Sequence, residues 1–437
     1  MSDEVYILYC PNGDTYKNKN LQAFCDEYNT KVSEDEKVCY DGMRKACKAG
    51  KEYKGWIIEK TTEDALADID ISSKPEVFGL TSEEKILKLS EENSRLKSQV
   101  KENMRSSSLF KELADIITSR QAPTYVPELL YKEQTGKINE SAVLVLSDLH
   151  SDLLIKSERV NDCEEYNFNS FCRRAEKLVE TTIKHLTQNL KGYSFETLYI
   201  FSLGDNIQGL IHNSQQHTEW ANCLKSSVAC GTVISKMILD LSQYFKKIVY
   251  IGLSGNHPRL DIGKKDYRGA HLNFDWLVNA EAKKQCKALV DTGRVEFAIP
   301  DSWSTVVNIF KYNFHLSHGD TLTGCSLGIP FYALQRRSYR LAALGAVNGV
   351  VPHYQIIGHY HNQSSMKQTV GELIVNGAFP ATDEFAYHGL SLFNEPSQLL
   401  FGVHPNHGKT WEMPILLREK DWREFEKKRS RYNKDLF

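Results

Sequence analysis

The sequence predicts a layered α/β protein preceded by a smaller α/β module, and three observations carry that expectation. From about residue 140 onward, apolar runs of strand length alternate with long helical stretches, the pattern of sheets covered by helices. Several of these runs, among them Ala142–Leu146, Thr197–Phe201 and Lys247–Gly252, lack polar alternation, which suits strands covered on both faces. The first sixty residues form a separate block in which two short helical patterns lie between strand-like ends. At 437 residues the chain has room for two to three domains and a large core.

Composition excludes more than it identifies. Charged residues make up 25% of the chain and the formal net charge is −2, so any affinity for nucleic acid must be local. No apolar run approaches the roughly 20 residues that span a bilayer, and the start Met1-Ser-Asp-Glu4 lacks a basic-then-apolar leader; a cytosolic protein without membrane contact is expected. Ten cysteines occur without a CxxC pair, which argues against a zinc ribbon or redox motif.

Residues 1–60 read as a strand at Tyr6–Tyr9, a turn at Pro11–Asp14, helices over Leu21–Tyr28 and Tyr40–Ala49, and a closing strand at Gly55–Ile58. Arg44, Lys45, Lys48, Lys51 and Lys54 lie on or just after the second helix. They make a cationic edge suited to phosphate contacts, with a solvated helix face as the alternative. Residues 61–80 are acidic and polar, as a linker is. A helical segment is expected over 81–120, capped near Thr81–Glu84 and carrying Ile86, Leu89, Asn93, Leu96 and Val100 at spacings of three and four. That stripe suits either a homodimeric coiled coil through residues 86–100, with Asn93 fixing register, or a helix packed on its own domain.

The remaining elements are a helix over Phe168–Leu190, a strand at Thr197–Phe201, a helix over Thr218–Phe245 and a strand at Lys247–Gly252. Strands follow near Val306–Phe310, Phe314–Leu316 and Tyr354–Ile357. A strand-rich tail over 371–417 is expected to complete a second sheet, and residues 418–437 to form a charged terminal helix. Five strand ends carry metal-capable groups: Asp148 and His150, Asp205, Asn256, His318, and His359 with His361. Strand alternation is expected to aim Asp148 and His150 the same way. Two carboxylates, one amide oxygen and four imidazoles suit a pair of first-row cations, and Gly204, Gly255, Gly319 and Gly358 allow tight turns beside them. One such block alone reads equally as buried, hydrogen-bonded histidines; five in order argue for a shared site.

The ordered set Asp148-x-His150, Gly204-Asp205, Gly255-Asn256-His257, His318-Gly319 and Gly358-His359-x-His361 resembles the signature of the calcineurin-like metallophosphoesterases. The resemblance implies a four-layer α/β/β/α sandwich over about 140–417 with a dinuclear centre. Asp148, His150, Asp205 and His361 would hold one ion, Asp205, Asn256, His318 and His359 the other, and His257 would touch the phosphoryl group or protonate the leaving group. Two divalent cations are implied, Mn²⁺ ahead of Fe, Zn or Mg, with a hydroxide between them attacking in line. Arg259 stands where the family often has an acidic residue and is a candidate phosphate contact. The histidine that follows the Gly-Asp ligand in the DNA-repair exonuclease branch is missing from Asp205–Gln208.

In the N-terminal block, Tyr9–Tyr16, Asn20–Cys25 and Lys54-Gly55-Trp56 resemble the NUMOD-like DNA-binding repeats of phage homing endonucleases. Together the two resemblances imply a metal-dependent nuclease with DNA as partner, in a phage or repair setting. A phosphatase or phosphodiesterase acting on protein, nucleotide or cyclic nucleotide is the alternative, and a non-catalytic DNA-binding subunit the third reading.

Overall fold

Asn20 and Gly50 show how local chemistry sets the first elements. The Asn20 side chain accepts from the Gln22 and Ala23 amides and starts a helix, while Gly50, at φ 61°, ends the next in the left-handed conformation. In this computed structural model the described residues are 4–33, 36–62, 110–112, 115, 119–133, 135–209, 218–260, 267, 269–321, 329–369, 371–418 and 430–433. They fall in two units, Met1–Lys101 and Glu102–Phe437. Most of the expected 61–80 linker, the 86–100 stripe and nearly all of the 418–437 tail lie outside the described residues.

The first unit comprises β1 (Glu4–Tyr9), β2 (Thr15–Asn18), α1 (Leu21–Asn29), α2 (Tyr40–Ala49) and β3 (Ile57–Thr62). Its antiparallel sheet has the order β2-β1-β3. Leu8, Leu21, Phe24, Met43 and Trp56 form its core. The sequence reading missed β2, because Thr15-Tyr-Lys-Asn18 carries one large apolar residue and follows directly on a turn closed by the Cys10 amide and the Asp14 carbonyl.

The second unit runs β4 (Ile138–Leu146), α3 (Phe168–Lys184), β5 (Tyr193–Ser202), α4 (Cys223–Leu241), β6 (Lys247–Gly252), α5 (Phe274–Gln285), α6 (Lys287–Asp291) and β7 (Val295–Ala298). There follow β8 (Ser304–Ile309), β9 (Tyr312–Ser317), α7 (Phe331–Val347), β10 (Tyr354–Ile357), β11 (Ser364–Lys367), β12 (Glu372–Val375), β13 (Ser397–His404) and β14 (Gly408–Leu416). One sheet has the order β14-β13-β4-β5-β6-β7, the other β11-β12-β10-β9-β8.

Alternation within β4 divides the layers. Val143 and Val145 face the second sheet, meeting Phe314, Leu316, Ile356 and Ile374. Ala142, Leu144 and Leu146 face the helices, packing with Phe171 and Ala175 of α3 and Val233 and Ile234 of α4. On the far side, Leu334 of α7 packs on Ile357, Leu373 and Val375. The architecture is therefore the four-layer α/β/β/α sandwich, with β4, β5, β6 and β7 parallel in one sheet and β9, β10 and β12 parallel in the other.

Two expectations need correction. The tail does not simply complete the second sheet: β12 joins it, but β13 and β14 return to the first, where β13 pairs antiparallel with β4. Its residues are buried along nearly their whole length, as a strand between two others and under a second sheet must be. The long helix expected from Thr218 starts only at Cys223, where Asn222 caps it; Thr218 is instead bridged to Leu153. Of the 418–437 tail, the described Arg431–Asn433 form a 3₁₀ turn, with Tyr432 buried and its hydroxyl donating to Asp240 at 2.7 Å.

Candidate metal centre

Because both sheets contribute parallel strands, the loops leaving β4, β5, β6, β9 and β10 carry all seven predicted ligands. Asp148, His150 and His361 offer ligand atoms within 4.8 Å of one another, and Asp205, His318 and His359 do the same. Asp205 also groups with His150 and His257. Asn256 joins through its Oδ1, 3.0 Å from His318 Nε2.

The local backbone is not the extended strand the sequence suggested. Asp148 (φ 53°), His150 (φ 40°), Asp205 (φ 56°), His359 (φ 71°) and His361 (φ 54°) are all left-handed. Such residues cost on the order of 1–3 kcal/mol each and persist where surrounding contacts over-determine them. β4 ends at Leu146, so Asp148 and His150 come together with His361 through left-handed backbone rather than through continued strand alternation. The turns are stitched together: the Asp148 amide donates to the Gly204 carbonyl and the His150 amide to the Asp205 carbonyl, each at 3.0 Å. The His359 amide donates to Asp148 Oδ2 at 2.9 Å. Gly255 is required by close approach, since a Cβ there would overlap the Asp205 carboxylate.

Asp148 and Asp205 are buried, with no Lys or Arg ion pair among the described residues. Burial alone would raise the Asp148 carboxyl, but His361 and His318 outweigh it and bring it down to about 2. His150 is driven the other way, to about 3, by burial and then by His257 and His361. His318 tests whether cations suit these donors. Its Nδ1 donates to the Leu203 carbonyl at 3.0 Å, so Nε2 faces Asp205 Oδ2 at 2.9 Å and Asn256 Oδ1 at 3.0 Å. No donor is directed at Asp205 Oδ2 despite that short approach. Three acceptors thus converge, an arrangement that a shared positive charge stabilises. Without a metal a proton takes the place: burial opposes it, but Asp205 pulls the His318 imidazole up to about 10. His150 repeats the pattern, its Nε2 3.2 Å from His361 Nε2 and its Nδ1 buried without a partner. The donor set fits two oxophilic, imidazole-tolerant cations.

His257 is half-buried beside this cluster. Its amide donates to Asp205 Oδ1 at 2.8 Å, and its Nδ1 donates to the Gln208 carbonyl at 3.1 Å. Gln208 is held in turn, its amide donating to Asp152 Oδ1 at 2.8 Å, and Asp152 Oδ2 accepts from Ser226 Oγ at 2.6 Å. Arg259 is half-buried at an isolated bridge to Asn273, on the loop that follows His257. Arg44, Lys45, Lys48, Lys51 and Lys54 are all exposed on the first unit, and Lys54 Nζ donates to the Lys37 carbonyl at 2.8 Å.

The sequence reading missed Asp275. This carboxylate, buried in the first turn of α5, accepts from the amides of Asp205, Asn206 and Gly255 at 2.8–2.9 Å and from Asn206 Nδ2 at 2.8 Å. Burial, and then Asp205, push its carboxyl up to about 6. It fixes the loops after β5 and β6 as one unit. An Asp near a helix start ordinarily complements the helix dipole, so no sequence signal separates it from the common case. Ser147, Asn376 and Gln398 were missed likewise; Asn376 Nδ2 donates to Ser147 Oγ and Gln398 Oε1, each at 2.9 Å, beneath Asp148.

No protein-family model matches the chain, and no curated protein is significantly similar to it in sequence. Solved structures do match. A novel archaeal phosphodiesterase is 12% identical, with a TM-score of 0.29 over 62% of this chain and 99% of its own. Vacuolar protein sorting 29 from Cryptosporidium parvum is 12% identical, with a TM-score of 0.27 over 63% and 96%. Vps29 complexed with zinc from Entamoeba histolytica is 11% identical, with a TM-score of 0.26 over 63% and 99%.

Proposed function

We propose that the chain is a phosphoesterase dependent on two divalent cations, and that its substrate is DNA. One observation carries the reading: buried Asp205 is shared between two Asp/His groups at neighbouring loop ends. Asp148, His150, Asp205 and His361 would hold one cation, and Asp205, Asn256, His318 and His359 the other. Oxygen and imidazole donors without thiolate favour Mn²⁺, with Fe, Zn or Mg next. When bound, the pair supplies Lewis acidity toward a phosphoryl group and a nucleophile from water at neutral pH.

The protein's own groups set direction and proton flow. Because His257 Nδ1–H is committed to the Gln208 carbonyl, the proton available for a leaving ester oxygen resides on Nε2. Asp152 fixes Gln208 and thereby the tautomer and tilt of that ring. Arg259, on the same loop, is the candidate contact to the phosphate backbone. The exposed cations Arg44, Lys45, Lys48, Lys51 and Lys54 support DNA as the substrate, raising its local concentration for a weakly selective site.

Cleavage of single- and double-stranded DNA by the full chain in Mn²⁺, abolished in Asp205→Ala and strongly reduced in His257→Ala, is the expected result. Turnover of nitrophenyl phosphates or nucleotides with no DNA cleavage transfers the function to a phosphatase or small-substrate phosphodiesterase. No turnover of any phosphoester overturns the enzymatic reading.

A further inference from the structure

Helix α7 connects the parallel neighbours β9 and β10, so it runs back along the sheet against their direction. Its first turn sits at the edge where His318 and His359 emerge: Leu334 packs on Ile357 and Val375, and Arg337 Nη2 donates to Ser317 Oγ at 3.4 Å. Later contacts fall progressively farther from that edge, with Ser338 Oγ donating to Gln355 and Tyr339 against Thr369. Only Leu334 and Ser338 are buried.

The opposite face is unusual for a helix that covers a sheet. Tyr332 (74% exposed), Arg336, Arg340, Leu344 and Val347 (83% exposed) recur at helical spacing as one stripe. At 1.5 Å per residue the stripe is about 22 Å long. The helix carries three arginines and no acidic residue. Arg336 and Arg340, one turn apart, have no ion-pair partner among the described residues; Arg336 lies over the Tyr332 ring at 5.7 Å. Like charges at that spacing repel, and large exposed aromatics gain nothing from water, so neither feature serves the fold.

We propose that this face of α7 is a track for a nucleic-acid strand leading to the metal centre. The proposal rests on the reading of DNA as substrate and names the surface in the larger unit that guides it. Guanidinium groups beside an exposed tyrosine match a polyanion that also offers ring faces: Arg336 and Arg340 meet phosphates, while Tyr332 stacks a base. A protein partner draws on the same tyrosine and arginine chemistry, so the salt dependence of oligonucleotide binding and the state of self-association separate the two.

The test is binding of a fluorescent single-stranded oligodeoxynucleotide to the full chain in chelator, followed by anisotropy across a salt series. It needs no turnover, so its outcome is independent of the enzymatic reading. Replacing Arg336 and Arg340 together by Gln is expected to weaken binding about tenfold and to flatten the log–log salt slope by about 1.4, the loss of two phosphate contacts. Tyr332→Ala is expected to weaken binding by about tenfold, one lost stacking contact, without changing the slope. These exposed positions leave circular dichroism and the melting temperature at wild-type values. A parallel variant, Arg44→Gln with Lys45→Gln and Lys48→Gln, separates the contribution of α2. Wild-type affinity in all α7 variants, or complete loss of binding from the α2 variant alone, overturns the track. So does a light-scattering change in self-association in the α7 variants with DNA binding intact, which makes the face a protein interface.

Discussion

At the scale of single residues, the site is defined as much by what its groups cannot do unaided as by what they are. Asp275 holds three backbone amides and one side-chain amide in a buried setting. Asp275→Ala leaves those donors unsatisfied and is expected to cost about 3 kcal/mol or more in urea-unfolding free energy. His257→Ala is expected to slow hydrolysis by roughly 10²–10⁴-fold. The loss falls hardest on esters with poor leaving groups, with metal content by elemental analysis unchanged; equal losses for good and poor leaving groups would count against a proton-donating role. His315, buried on β9 and facing Arg337, has its imidazole pushed down to about 4 by burial and then by that guanidinium. Between the ordinary 6.5 and about 4 the unfolded chain binds a proton that the folded chain refuses. Stability is therefore full above pH 6.5 and declines as pH falls, by up to about 3 kcal/mol. Melting curves at pH 7 and pH 5 should show a smaller drop for His315→Gln than for wild type.

At the scale of elements, the decisive features are the turns between strand ends and ligands. Leu146 ends β4 two residues before Asp148, and Ile357 ends β10 two residues before His359; both turns pass through left-handed backbone. Gly255→Ala forces the Asp205 carboxylate or the loop after β6 to shift. It is expected to weaken Mn²⁺ binding by at least about tenfold in calorimetry, as loss of an aligned supporting contact does. These turns also bear on legibility. The residue types and the strand preceding each one were readable, since apolar runs ending in Asp, Asn or His stand out in the chain. The direction of each side chain was not, because a positive φ at Asp148 or His361 follows from amides and carbonyls of other loops. α7 escaped notice for a different reason: its stripe of tyrosine, arginine and leucine on the outer face blurs the polar-out pattern by which a covering helix is recognised.

At the scale of the whole molecule, two buried carboxylates with no Lys or Arg ion pair among the described residues would tie stability to bound cations. Saturating Mn²⁺ is expected to raise the unfolding free energy by about 3–4 kcal/mol at a hundred to a thousand times the dissociation constant, with chelator reversing it. The melting temperature of Asp205→Ala should not respond to Mn²⁺. The stripe at residues 86–100 motivates a homodimer, which light scattering on the full chain and on Leu89 and Leu96 made polar would test. Among the described residues no helix is long and apolar enough to cross a membrane.

By itself the sequence determined the layered α/β class, the strands β4, β6 and β10, and the seven side chains at the centre, because those depend on apolar runs and on residue chemistry at their ends. Only the tertiary structure decided that β13, with β14 paired on its other edge, pairs with β4, that Asp275 and Gln208 hold the loops and His257, and that five of the candidate ligands adopt left-handed backbone. Each of these is a contact between segments far apart in the chain. A carboxylate at a helix start or an amide side chain in a loop acquires its role from the backbone group it meets across space, and no local pattern encodes that meeting.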